Sequence, residues 1–136
     1  MVARIRKVGA RLRMIGDGDV AGAIAPSLPD SGTDLYAGVG GAPEAVLAAA
    51  ALRCLGGDMQ VRMWPRDEAE RRTLVKDGFE EDMGKVYYAE DLARGNGIMF
   101  CATGISDSPL LPGVRVIGHS AVTHSLSMRA NTRTAQ

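Results

Sequence analysis

The stretch Gly38-Val39-Gly40-Gly41-Ala42-Pro43-Glu44 constrains this chain more than any other. The run before it, Asp34-Leu35-Tyr36-Ala37, reads as a strand, and Ala45 to Leu52 after it is an unbroken series of helix formers. Strand, glycine turn and helix in that order define one α/β unit. The glycines let the backbone turn sharply and let a ligand approach the main chain. Pro43 suits the first helical position, where a missing N–H costs nothing. The free N–H groups and dipole of that helix start favour an anion such as a phosphate. Glu44 sets a carboxylate beside it, and two negative groups there call for a cation between them. The segment is no dinucleotide fingerprint, because position 43 is Pro where Gly or Ala is required, and no Walker-type Gly-Lys-Ser/Thr occurs.

Val2, Ile5 and Val8 recur every three residues ahead of Gly9, as in the last turns of a helix with no capping residue before it. Arg11 to Ile15 alternates polar with apolar and runs into Gly16-Asp17-Gly18-Asp19, a strand and a turn. Asp19 is suited to cap a helix from Val20 to about Ser27, which Pro26 and Pro29 end. Gly56-Gly57 stops the Glu44 helix, and Met59 to Trp64 alternates again. Asp67 to Lys76 has the charge pattern of a solvent-facing helix. A short strand over Lys85–Tyr88 and one helical turn over Glu90–Arg94 come next, then a buried strand from Ile98 to Thr103 ending at Gly104. Val114–Ile117 and Ala121–Met128 form a last strand pair around a Gly-His-Ser turn. This alternation predicts a single α/β domain over 1–136, with a mixed, mostly parallel sheet flanked by helices.

Three loops then follow carboxyl ends of strands, where ligands bind in open α/β sheets: Asp17 to Asp19, Gly40 to Glu44, and Thr103 to Asp107. All are polar, glycine-containing and acidic, so one shared site is expected. His124 alternates with Val122, Leu126 and Met128 and reads as a satisfied, partly buried imidazole. Cys54 and Cys101 fit no zinc or redox spacing and read as reduced core residues. Sixteen basic residues balance sixteen acidic ones, so the totals give no basic face for nucleic acid. The longest apolar run is too short to cross a bilayer, and the N-terminus has no signal-peptide core. The expected setting is the cytoplasm, with neither nucleic acid nor membrane as partner.

Asp17-Gly-Asp-Val-Ala-Gly-Ala-Ile24, Gly38-Val-Gly-Gly-Ala-Pro-Glu44 and Leu52-Arg-Cys-Leu-Gly-Gly-Asp-Met-Gln60 together resemble class II fructose-1,6-bisphosphatase. Ala102-Thr-Gly-Ile-Ser-Asp107 and Thr123-His-Ser-Leu-Ser-Met-Arg129 continue the resemblance in the same order. It covers nearly the whole chain but only the C-terminal half of the family's pattern. The Asp-Pro-x-Glu-Gly-type metal motif of the N-terminal half does not occur here. Ala45 and Ser108 stand where the family usually has Gly.

The resemblance implies the second half of a lithium-sensitive sugar-phosphatase-like fold. It implies metal-dependent hydrolysis of the 1-phosphate of fructose 1,6-bisphosphate, a gluconeogenic reaction, with sedoheptulose 1,7-bisphosphate as a second substrate in some relatives. By the family pattern Asp17, Gly18, Asp19 and Gly41 contact the sugar phosphate, and Glu44 ligates Mn²⁺ or Mg²⁺. No residue of this chain is expected to be catalytic by itself, and the chain is expected to be inactive alone. The complete enzyme is expected to be a homo-oligomer. The alternative is a non-catalytic sugar-phosphate-binding or structural α/β module.

Overall fold

The computed structural model describes residues 1–79, 83–132 and 134–135. Helix α1 spans Val2–Lys7 and α2 spans Asp19–Ile24, continued by a 3-10 turn over Ala25–Ser27. The long helix α3 covers Ala42–Leu55; the others are α4 (Glu68–Lys76) and α5 (Ala89–Leu92). The strands are β1 (Gln60–Val61), β2 (Tyr87–Tyr88), β3 (Met99–Thr103), β4 (Arg115–Ile117), β5 (Ser120–Val122), β6 (Ser125–Arg129) and β7 (Thr134–Ala135).

Helix α3 organises the interior because its small residues allow close approach. Ala48, Ala49, Ala51, Leu52 and Cys54 are buried along it. One side receives Ile24 of α2, and another receives Phe100 of β3 and Met128 of β6. Gly56, in the left-handed region at φ 79°, ends the helix where a side chain would be strained. Arg53 then donates to the carbonyls of Ala93 at 2.7 Å and Gly95 at 2.9 Å, tying the end of α5 to α3. Asp58 accepts from the N–H groups of Met59 at 2.8 Å and Ala89 at 3.2 Å, which fixes the start of α5. The charged helix α4 buries none of its residues and is capped by Asp67, whose carboxylate accepts from Glu70 N–H at 2.8 Å.

The fold is a mixture of helix and strand, but the sheet differs from the mostly parallel one expected. Every strand pair among the described residues is antiparallel: β1 with β2, β3 with β6, β6 with β7, and β4 with β5. Residues 11–15 and 34–37, both read as strands, are in neither helix nor strand here. Their exposed Met14 (68%) and Leu35 (81%) show why alternation misleads. Alternation reports an extended, half-covered backbone and carries no information about the direction or presence of a partner strand.

Three smaller expectations are corrected in the same region. β3 is half-buried, with Phe100 inward and Met99, Cys101 and Thr103 exposed, so Cys101 is not a core residue whereas Cys54 is. The strand expected over Ala121–Met128 breaks at Thr123-His124, because β5 pairs with β4 while β6 pairs with β3. His124 is half-buried as expected, but its Nδ1 is enclosed without a hydrogen-bond partner among the described residues. The Gly118-His119 turn does join β4 to β5, with Ile117 opposite Ser120.

Candidate functional site

The N-terminus of α3 is where three of the sequence-selected residues, Asp19, Gly41 and Glu44, come near one another. The helix starts at Ala42, two residues ahead of Glu44, with Gly41 as N-cap in extended conformation and Pro43 in the first turn. Glu44 lies in that turn, where the dipole favours a carboxylate. Its side chain folds back over Gly41: a Cβ placed there would collide with Glu44 Oε2. A Cβ on Gly40 would lie 2.8 Å from Asp19 Oδ2, and one on Gly38 would lie 2.7 Å from the Tyr36 hydroxyl. None of these three glycines has a positive φ. Their expected role as sharp-turn residues therefore gives way to a different one. Each leaves room for an oxygen from another residue to approach the main chain.

Asp19 reaches Gly40 from the start of α2. It was expected to cap that helix, yet the N-cap is Gly18, at φ 78°, and no side chain caps the helix. The left-handed Gly18 swings the chain so that Asp19 becomes the first helical residue. Freed from capping, its Oδ1 accepts from the Tyr36 hydroxyl at 3.1 Å, which leaves Oδ2 beside Gly40. Asp17 is exposed and makes no hydrogen bond among the described residues. Neither Asp17, Asp19 nor Glu44 forms an ion pair among the described residues.

Two of the three loops expected to share a site are thus brought together, through Asp19 and Gly40. The third is not joined to them by any hydrogen bond among the described residues. Gly104 N–H donates to the His124 carbonyl at 2.9 Å, and Val114 N–H to Ile105 at 3.1 Å. The Asp107 carboxylate accepts from Gly113 N–H at 2.8 Å, so it braces its own loop.

Tyr36 was read only as one residue of an apolar run, and its role was missed. Its ring packs on Gly22 of α2, where a Cβ would lie 2.9 Å from Cε2, and its hydroxyl holds Asp19. Burial pushes the phenol above its ordinary pKa, and the hydrogen bond to Asp19 and that residue's negative charge add to the shift. It therefore stays a hydrogen-bond donor throughout the neutral range. The one available signal was a polar-tipped aromatic two residues before the glycine turn.

A hard divalent cation prefers carboxylate oxygens, and Glu44 has the right donor type. One carboxylate is not a metal site, however. No group of three His, Cys, Asp or Glu side chains able to hold a metal occurs among the described residues. The described residues do not complete a coordination shell.

The family described as bacterial fructose-1,6-bisphosphatase, glpX-encoded, matches residues 1–136. The chain belongs to that family. It is 39% identical over 145 residues to the class 2 fructose-1,6-bisphosphatase of Haemophilus influenzae, covering 98% of this chain and 44% of that protein. It is 38% identical over 148 residues to a D-fructose 1,6-bisphosphatase class 2/sedoheptulose 1,7-bisphosphatase of Synechococcus sp. strain JA-3-3Ab, covering 100% of this chain and 42% of that protein. A protein of the same name from Synechococcus sp. strain JA-2-3B'a(2-13) gives the same figures. The chain spans less than half the length of these curated relatives. No helix of the described residues is long and apolar enough to cross a membrane.

Proposed function

We propose that this chain is the sugar-phosphate-binding part of a metal-dependent fructose-1,6-bisphosphatase, hydrolysing the 1-phosphate of fructose 1,6-bisphosphate when the rest of the enzyme is present. The observation that carries the reading is the approach of the Asp19 and Glu44 carboxylates to consecutive glycines at the start of α3. Family membership and the names of the relatives support it. In this reading the N–H groups at the α3 start face a phosphate. Asp17 and Asp19, which as carboxylates can only accept, take hydrogen bonds from sugar hydroxyls. Gly18 and Gly41 let the ligand touch the main chain. Glu44 contributes one ligand to Mn²⁺ or Mg²⁺. When bound, such an ion neutralises phosphate charge and activates water. The remaining ligands would come from outside the described residues.

The combined name of the Synechococcus relatives supports sedoheptulose 1,7-bisphosphate as a second substrate. A cytoplasmic setting, a homo-oligomeric complete enzyme and the lithium-sensitive phosphatase fold belong to the same proposal. The test is phosphate release from fructose 1,6-bisphosphate with Mn²⁺. The chain is assayed alone, then mixed with the part of the Haemophilus influenzae relative that it does not cover, with Glu44→Gln as control. Activity that appears on mixing and is lost in Glu44→Gln supports the reading. Silence in every arm, from chains shown to be folded, rejects it in favour of a non-catalytic module.

A further inference from the structure

We propose that Tyr36 is a positioning residue of the sugar-phosphate site, holding Asp19 so that one carboxylate oxygen is committed to the protein and the other to the ligand's hydroxyls. The inference rests on the site assigned above and adds a residue to it. The Tyr36 hydroxyl donates to Asp19 Oδ1 at 3.1 Å, and Oδ2 lies beside Gly40. A carboxylate near a phosphate-binding helix start is useful only when it is aimed. Left to rotate, it would set its charge against the phosphate; anchored, it offers an acceptor to a hydroxyl. The anchor is itself rigid. The Tyr36 ring is wedged against buried Gly22 of α2, where a Cβ would lie 2.9 Å from Cε2 and 2.8 Å from Ile15 Cδ1. The same ring leaves its hydroxyl against Gly38, 2.7 Å from a Cβ placed there. The packing on Gly22 and the approach to Gly38 thus fix one phenol, and the phenol fixes one carboxylate. The raised pKa of Tyr36 keeps it a donor, in agreement with this role.

The consequence is a selectivity. Asp19 and its anchor matter for a ligand with hydroxyls and not for bare phosphate at the α3 start. Binding of fructose 1,6-bisphosphate and of inorganic phosphate to the full chain is measured by NMR titration for wild type, Tyr36→Phe and Asp19→Asn. Tyr36→Phe removes only the hydroxyl and keeps the ring on Gly22, and a thermal melt of each variant checks folding. The expected result is about fivefold weaker binding of the sugar bisphosphate in Tyr36→Phe, the size of one lost hydrogen bond. Inorganic phosphate binding should stay unchanged, and Tyr36→Phe should add no further loss in the Asp19→Asn background. If Asp19→Asn weakens the sugar bisphosphate while Tyr36→Phe does not, the positioning role is wrong and the site stands. Equal weakening of both ligands by Tyr36→Phe also overturns it, since that is general loosening. If the wild type binds neither ligand, the site assignment itself falls and takes this inference with it.

Discussion

The same substitution at two glycines should separate the scaffold from the site. At Gly104 a Cβ would run into the Pro112 carbonyl oxygen, lie 3.0 Å from the Pro112 carbonyl carbon and 3.2 Å from Leu111 Cβ. The first two are backbone atoms, held because the loop is braced by Asp107 on Gly113 N–H and by the Val114–Ile105 bond. They cannot step aside, so Gly104→Ala is an overpacking change costing roughly 2–3 kcal/mol. Gly104 has no positive φ, so Ala recovers about 0.4–1 kcal/mol through a less flexible unfolded chain. The net loss is about 1–2.6 kcal/mol, a fall in Tm of about 4–9 °C for a chain of this size. At Gly41 the collision is with the Glu44 carboxylate, the far end of an exposed, flexible side chain. It swings away at little cost, and what remains is Ala replacing Gly as N-cap, about 0.5 kcal/mol. Gly41→Ala should therefore lower Tm by only about 2 °C. It should also weaken fructose 1,6-bisphosphate binding about tenfold by setting a methyl where the ligand meets the main chain. Thermal unfolding by circular dichroism and the NMR titration read the two effects. The reasoning fails if Gly104→Ala melts within 1 °C of wild type, or if Gly41→Ala loses as much stability as Gly104→Ala.

Three further outcomes follow from the packing. Arg53→Met keeps the side-chain stem but removes both bonds to the Ala93 and Gly95 carbonyls. It should cost about 1.5–3 kcal/mol and speed amide exchange in residues 89–97 ahead of the rest of the chain. The hydrogen bond from Arg66 holds the Glu70 carboxyl below its ordinary pKa. The folded-state value is depressed, so the contribution of this pair is present above the ordinary carboxyl range and lost as pH falls through the lowered value. A carbon-detected NMR titration should show Glu70 rising toward the ordinary value in Arg66→Ala but staying below it, because the backbone N–H of residue 66 still donates to Glu70 Oε2 at 2.6 Å. Because both side chains are exposed at the start of α4, Tm should barely respond. Cys101 should react with a thiol reagent in the folded chain, while Cys54, buried and with its thiol pushed up by burial, should react only on unfolding. Two equally fast thiols would contradict the inward assignment of Cys54.

The legibility of this chain follows from how local each signal is. Helix α3 was readable because everything that makes it is contiguous: Pro43 in the first turn, the alanine run, and Gly56 beyond it. Helix α4 was readable through the charge pattern of Asp67 to Lys76, and the β4–β5 turn through Gly118-His119. The sheet was not readable, because the direction of a strand is a property of its partner. Arg11–Ile15 and Asp34–Ala37 carry the pattern of strands without being paired among the described residues. Their apolar side chains Met14 and Leu35 are exposed, so the alternation has no packed face behind it.

The site shows the same division more sharply. The glycine segment stands out in the sequence as a sharp turn, and the structure gives its glycines a different part. Glycine is useful at 38, 40 and 41 because Tyr36, Asp19 and Glu44 each place an oxygen where a Cβ would stand. Two of those oxygens come from neighbours a few residues away, and one comes from α2, about twenty residues earlier. Only the third is invisible to a reading of local motifs, and it joins the Asp17–Asp19 loop to the Gly40–Glu44 loop. The left-handed Gly18 makes that junction by moving the cap position off Asp19. A side chain relieved of capping is available for another task, and Tyr36 is what it meets.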